Sequence, residues 1–280
     1  MKELTAPAKS AEPRKWTLPG FSAPPSLAVQ GLPNIFKGKE GVFFAAGLIL
    51  LWEAIARFST GQYRFLFPSP ATTAKALWIS LPELLKGTWC SFLILVPGYL
   101  MAVFAGIFWG ILVGATEWLQ RAFNPFAKVA APIPPTIYIP YAIALLSTFR
   151  TSAIFVVFVG AFWPIFINTA SGAAAVPRRY RDDSLILGLS KVEYLWRVVL
   201  PSSLPYSFSG MGVGLALSFI LLTVAELFGA NAGLGRFVQY YADYADYHRM
   251  VAGIVYTGLI TFVSMELLER IKRRTLFWVR

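Results

Sequence analysis

Apolar runs of bilayer length, separated by short polar and charged stretches, set the pattern of this chain. A helix rising about 1.5 Å per residue needs roughly 20 apolar residues to cross some 30 Å of hydrocarbon. Six segments meet or approach that length: 41–59, 89–116, 126–148, 152–173, 205–228 and 249–269. The second would reach ~40 Å and should tilt or project from the bilayer. The third carries Pro132, Pro134, Pro135 and Pro140, which interrupt a helical hydrogen-bond ladder. Such backbone survives at membrane depth only inside protein or beside a watery cavity. Between the first two spans, residues 66–86 combine mixed polarity with Pro68, Pro70 and Pro82, and read as a short helix at the interface. The expected fold is all-α, a polytopic membrane protein with about six transmembrane helices.

Charge sets the orientation. With the amino terminus inside, 18 of the 25 Lys and Arg fall on inner segments, leaving 57, 64, 75, 86, 150, 236 and 249 outside. Excess cations mark the cytoplasmic side, so both termini and the loop 177–201 are expected there. The formal charge of +11 is then membrane anchoring, and no nucleic-acid partner is expected. Residues 1–40 hold six prolines and no apolar core, so they read as an irregular cytoplasmic tail ahead of a transmembrane domain at 41–280.

Composition narrows the chemistry. The chain is 56% hydrophobic and 14% charged, with mean hydropathy +0.59, against about 25% charged for a soluble domain. One Cys90 excludes an internal disulfide framework, and one His248 argues against a histidine metal site or catalytic relay. No GxxxxGK[ST] occurs, so no ATP is expected to bind here in the P-loop manner, and no catalytic or metal-ligating residue is assigned. The glycine-rich stretches 210–214 and 229–235 lack the following Lys that a phosphate cradle needs.

Several polar and small residues inside the spans have two readings each. Gly106, Gly110 and Gly114, like Gly210 and Gly214, recur every four residues and let another helix approach closely, as static packing or as a sliding contact. Glu53 can pair with Arg57 one turn later. Glu226 has no local partner; it lines a pathway, protonates, or fixes the glycine-rich loop after it through backbone hydrogen bonds. Asn168 and Thr169 either pack or line a pathway. The aromatic and acidic stretch 239–250 offers an outer docking surface or an interfacial belt.

The segment from Arg181 to Pro201 stands apart. It is polar, punctuated by Gly188, and has helical spacing of its own through Leu185, Leu189, Val192, Leu195 and Trp196. It reads as two short helices around Gly188, with Pro201 and Pro205 stopping them from running into the fifth span. Such a loop offers a surface to a partner outside the bilayer.

From Asp182 the segment resembles the signature of ATP-binding-cassette importer permeases: an acidic position at Asp182, glycine at Gly188, an aliphatic residue at Val198, then Leu200-Pro201. The resemblance extends over 66–278, through PSPATTAKALW, PIPPTIYIPYAIAL, FWPIFINTASG, VVLPSSLPYSFSGM and AELFGANAGLGRF, to the nitrate, sulfonate, taurine and bicarbonate branch. It implies a type I importer permease fold in a bacterial-type cytoplasmic (inner) membrane. The implied partners are a second permease copy, two cytoplasmic ATPase subunits that hold the ATP and magnesium, and a soluble substrate-binding protein. The implied function is translocation of a small anion by alternating access. ATPase coupling is implied for Arg181, Asp182, Asp183, Gly188, Ser190, Lys191, Tyr194, Arg197 and Pro201. The pathway candidates are Pro134, Pro135, Tyr138, Asn168, Thr169 and Glu226. Asp183 and Ser184 stand where the family carries alanines, and LLSTFRTSA (145–153) departs from its usual Trp-Phe-Gly-like stretch. A secondary transporter or channel is the alternative; its mark would be matched halves, and the proline cluster of the third span has no counterpart. A membrane enzyme would need convergent titratable groups, which two separated glutamates do not supply.

Overall fold

The computed structural model describes residues 39–59 and 66–278; the expected tail lies outside them, save for its last two residues, which open a helix. Among the described residues the ordered elements are all helical. They are α1 (Lys39–Phe58), α2 (Pro70–Ala115), α3 (Glu117–Ala130), a 3-10 turn (Pro135–Ile137), α4 (Tyr138–Leu145), α5 (Phe149–Ala174), α6 (Arg178–Ile186), α7 (Lys191–Tyr194), a π turn (Leu195–Val199), α8 (Leu200–Gly229), α9 (Leu234–Asp243) and α10 (Tyr247–Thr275). Five of the helical runs are long and apolar enough to cross a membrane.

One expected element is absent. The stretch 66–86 is not a separate interfacial helix: Pro70 opens α2, which then runs for 46 residues through Pro82 and Pro97. Pro70 sits in the first turn, where its missing N–H costs nothing, and Ser69 caps that turn by accepting from the Thr72 N–H at 3.3 Å. Pro82 lies on an exposed face, while Thr73, Ala76, Ser80 and Leu84 bury the opposite one. Packing on that face holds the helix together past the lost hydrogen bond. As a straight rod α2 would measure about 70 Å, over twice the hydrocarbon thickness, so its first turns project beyond it.

α5 is the central plank. α2 packs along one side of it and α8 along another, through positions with little or no side chain. A Cβ on Gly106 would fall 2.7 Å from Ile165, one on Gly110 2.6 Å from Thr169, and one on Gly114 2.7 Å from Ala173. Toward α8, a Cβ on Gly210 would meet the Pro164 carbonyl at 2.7 Å, and one on Gly172 would meet Tyr206 at 2.7 Å. The four-residue glycine spacing thus becomes two tight seams. Aliphatic residues such as Ile94, Leu95, Val156, Val157, Leu215 and Leu222 fill the space above them.

These contacts also give direction. Positions on α2 and α5 rise together, from Gly98 beside Ile154 to Gly114 beside Ala173, so the two helices are parallel. Parallel neighbours need a connection that recrosses their length. Residues 116–148 supply it as α3, the 3-10 turn and α4, broken at Pro132, Pro134 and Pro135 as the ladder argument requires. α8 runs antiparallel to α5. α9 and α10 close the far end against α2 through Leu84, Leu234, Phe237, Tyr241 and Tyr256. α1 lies largely uncovered; its Trp52 donates to the Pro68 carbonyl at 3.0 Å, and Arg57 pairs with Glu53 at 2.6 Å.

Two glycines two residues apart on α8 give an internal control. Gly210 faces the seam, whereas a Cβ on Gly212 would meet nothing within 4 Å. Gly210→Ala is expected to destabilise by about 1–3 kcal/mol through overpacking. Gly212→Ala is expected to be neutral or to stabilise by up to about 1 kcal/mol through helix propensity. Thermal unfolding of the two variants in detergent checks the contrast, and equal effects would disprove the seam.

Candidate functional site

The segment singled out by sequence folds as a helical hairpin at the end of α5. α6 closes with a left-handed residue at Gly188 (φ +71°). The Leu189 N–H reaches back to the Ser184 carbonyl at 2.9 Å and the Gly188 N–H to the Leu185 carbonyl at 3.1 Å. This pair of bonds is a Schellman cap, which satisfies the last carbonyls of a helix when the residue after it turns left-handed. No neighbour crowds Gly188, so the glycine is required by backbone angle and not by space. α7 begins at once with a capping box. The Ser190 hydroxyl accepts from the Glu193 N–H at 3.2 Å, and the Glu193 carboxylate accepts from the Ser190 N–H at 3.0 Å. The S-x-x-E spacing from Ser190 to Glu193 is the sequence signal for this box.

Both caps fix the shape of a surface that is apolar where water is expected. Leu185, Ile186 and Leu187 are 66%, 83% and 76% exposed, and Val192 and Trp196 are open as well. Asp182, Asp183, Arg181, Lys191 and Arg197 are exposed around them; Tyr194 is half-buried. The ion pairs nearby, Arg197–Glu193 at 3.7 Å and Arg178–Glu117 at 3.5 Å, are solvated and add little.

Pro201 and Pro205 do not separate the hairpin from the span beyond it. Lys191 to Gly229 is one uninterrupted helical run. The Leu200 N–H bonds to the Leu195 carbonyl, five residues back, and this π turn widens the helix just ahead of Pro201. The missing donor and the ring therefore fall where the ladder has already shifted. The hairpin is rigidly continuous with α8. A ladder of hydroxyls ties the start of α8 to α5: Thr169 donates to Ser207 at 3.0 Å, Ser207 to the Ser203 carbonyl at 3.1 Å, and Ser203 to the Leu200 carbonyl at 3.0 Å.

The opposite end of α8 carries a second device. Glu226 is fully buried and accepts from the Ser91 hydroxyl at 2.5 Å and the Gly235 N–H at 2.7 Å; Ser91 accepts from the Leu234 N–H at 3.0 Å. The carboxylate and Ser91 together cap the amino-terminal end of α9, where free N–H groups and the helix dipole favour an anion. Gly233 (φ +154°) brings the chain over the carboxylate, which would occupy the place of a Cβ there. Of the readings open for Glu226, the contacts fit the fixing of the glycine-rich loop. Its partner Ser91 lies 135 positions away in sequence, and no local pattern announces such a pairing. Beyond α9, the Tyr241 hydroxyl donates to Glu83 and accepts from Arg249, both at 2.9 Å. Burial first, and then the bond to Glu83, push the Tyr241 phenol above its usual range.

The six pathway candidates are not gathered into one cluster. Thr169 and Glu226 are sealed in separate interfaces, against Gly110 and Ser91 respectively. Those two residues lie 19 positions apart along α2, about 28 Å of helix. Asn168 is half-buried and donates to the Pro164 carbonyl at 2.8 Å. Pro134 is exposed, with Pro135 and Tyr138 half-buried, at the break between α3 and α4. Among the described residues, no group of three His, Cys, Asp or Glu is placed to hold a metal ion.

Glu226→Ala would orphan the Ser91 hydroxyl and the Gly235 N–H in a dry interface. A cost of about 1–3 kcal/mol per donor is expected, with faster amide exchange at Leu234 and Gly235. Glu226→Gln, which keeps one acceptor oxygen, is expected to lose less. Unchanged exchange in the alanine variant would remove the capping role.

Comparison with known proteins accords with this geometry. Residues 102–277 match the family model described as the binding-protein-dependent transport system inner membrane component. A nitrate import permease protein, NrtB, of Leptolyngbya laminosa is 34% identical over 63% of this chain and 63% of its own length. The chain thus spans less than two thirds of that relative. A bicarbonate transport system permease protein, CmpB, of Synechococcus elongatus is 31% identical over 76% of this chain and 81% of its own. The taurine transport system permease protein TauC of Escherichia coli is 28% identical, with 83% and 87% covered. In fold, the chain resembles a subunit of the MetNI methionine ABC transporter, solved in inward-facing conformations, with TM-score 0.61, 19% identity, and 70% and 98% coverage. The match covers more than half of the chain, and the chain belongs to the family of inner-membrane components of binding-protein-dependent transport systems.

Proposed function

We propose that this protein is the membrane-spanning permease subunit of an ATP-driven importer for a small anion, working as a pair of permease copies. The observation that carries the reading is the hairpin around Gly188: an exposed apolar knob, locked by a Schellman cap and a capping box, and continuous with α8. A knob of this kind suits the groove of a separate nucleotide-hydrolysing subunit, with ATP and magnesium held there. The basic residues around the hairpin and at the end of α10 support a cytoplasmic position for this face. A force applied to the hairpin reaches α8 without a hinge in between. Closure of a pair of ATPases would then move α8 together with α5, and alternate which side of the paired permeases is open. A nucleotide shifts that equilibrium only by its differential affinity for the two states.

Relatives whose names specify nitrate, bicarbonate and taurine share an anionic group on a small solute, and that chemistry is assigned to this chain. A soluble binding protein on the opposite face would select among such solutes. The exposed aromatics Tyr240 and Tyr244 on and after α9 offer it a surface.

Two kinds of substitution test the coupling. Gly188→Pro forbids the left-handed angle and removes the N–H that closes the cap, so it is expected to abolish ATP-dependent uptake and weaken co-purification of the ATPase. Ile186→Glu and Leu187→Glu change only exposed side chains and should leave thermal stability within about 0.5 kcal/mol of the parent, yet release the ATPase. Variants that keep both uptake and the ATPase would refute the reading.

A further inference from the structure

Between α3 and an exposed flank of α5 lies a cleft of about 460 Å³. Its α5 wall runs from Phe166 to Ala174, immediately before the turn into α6, so the cleft sits at the end of the molecule that carries the hairpin. Its chemistry is one-sided. The lining holds one cation, Lys128, and no carboxylate; Gln120, Asn124 and Ser171 contribute polar groups, and alanines, Pro132, Phe166 and Ile167 complete it.

The donors are not equivalent. One of the two Gln120 amide N–H groups is spent on the Gly114 carbonyl, and the Ser171 hydroxyl donates to the Ile167 carbonyl at 2.8 Å. Lys128 and Asn124 keep all of their donors, four residues apart on one face of α3. An ammonium beside a neutral amide and an apolar wall, with no acid to neutralise it, raises the local concentration of anions. It also supplies the charge-assisted hydrogen bond that an oxyanion accepts. The volume exceeds that of an ion of three or four oxygens, so the ion keeps part of its water and is held loosely, which suits a place of exit.

We propose that this cleft is an inner binding site for the transported oxyanion, held by Lys128 and Asn124 before release. The proposal rests on the small-anion reading above. A lipid phosphate offers the same chemistry, and the experiment separates the two. The permease, purified with its ATPase and placed in phosphatidylcholine nanodiscs, is unfolded thermally while nitrate, bicarbonate or taurine is titrated at constant ionic strength against chloride. At least one of the three is expected to raise the midpoint. Lys128→Gln should weaken its apparent affinity about tenfold or more, as for a lost hydrogen bond to a charged group. Lys128→Arg should keep it within about threefold, and Asn124→Leu should weaken it less than Lys128→Gln does. Lys128 is exposed, so these variants are not expected to misfold. A parent complex that ignores all three solutes, or a Lys128→Gln variant that responds like the parent, overturns the cleft. Stabilisation by phosphatidylglycerol alone, lost in Lys128→Gln, places a lipid phosphate there and overturns its assignment to a transported ion. Absence of any ATPase from the purified particle overturns the importer reading instead.

Discussion

Close contact between α5 and its two neighbours is the constraint from which the rest of this structure follows. Lipid tails are as apolar as leucine, so helices in a membrane gain no hydrophobic reward for meeting each other. They hold by van der Waals contact, which needs backbones to come near. Gly106, Gly110 and Gly114 on α2, Gly172 on α5 and Gly210 on α8 provide that nearness, each facing an atom that a Cβ would strike. The polar groups caught in the seam are satisfied within it, as the Thr169–Ser207 bond shows. Unsatisfied groups there would cost more than the contacts return. α2, α5 and α8 therefore form a block.

α8 has a different device at each end. At Leu200 it continues without a break into the hairpin; at Glu226 its carboxylate holds the start of α9. Its 30 residues span about 45 Å, the full thickness of a bilayer with its headgroups. A displacement of the hairpin must move α8 as a unit, because neither Pro201 nor Pro205 supplies a hinge. The Glu226 cap then obliges α9 to follow. One helix thus ties a water-exposed knob on one face to a short helix on the other, through covalent backbone and buried hydrogen bonds alone.

Much of this was legible in the sequence, and the remainder fails for identifiable reasons. Runs of apolar residues gave the spans, since composition alone decides what dissolves in lipid. The glycine period gave the seams, and the prolines at 132–135 gave the break. Gly188 marked the hairpin because a left-handed cap restricts residue type. The prolines at 82, 201 and 205 misled, for a proline's effect depends on which face it occupies and what packs opposite. Pro82 sits on an open side of a helix whose other face is buried; Pro201 follows a π turn that no residue type announces. Ser91 was invisible beside Glu226, because a contact between distant helices leaves no local period. The cleft at Lys128 was hidden likewise, since its two walls come from helices joined only by tertiary packing.

The same contrast between close and loose packing bears on which parts move. Interdigitated seams are bistable: they keep one arrangement or jump to another, and do not stretch. The α2–α5–α8 block, with backbone atoms at contact distance along its length, is suited to move whole. α3 lines a cleft against it while packing Ala127 on Val113 and Phe166, and α4 buries Ile139 and Ala142 in its core. α1 is joined to the residues before α2 by the Trp52–Pro68 hydrogen bond. A change of access is least costly where the backbone is already interrupted, which is the proline-broken turn between α3 and α4, and the cleft with Lys128 reaches that turn through Pro132.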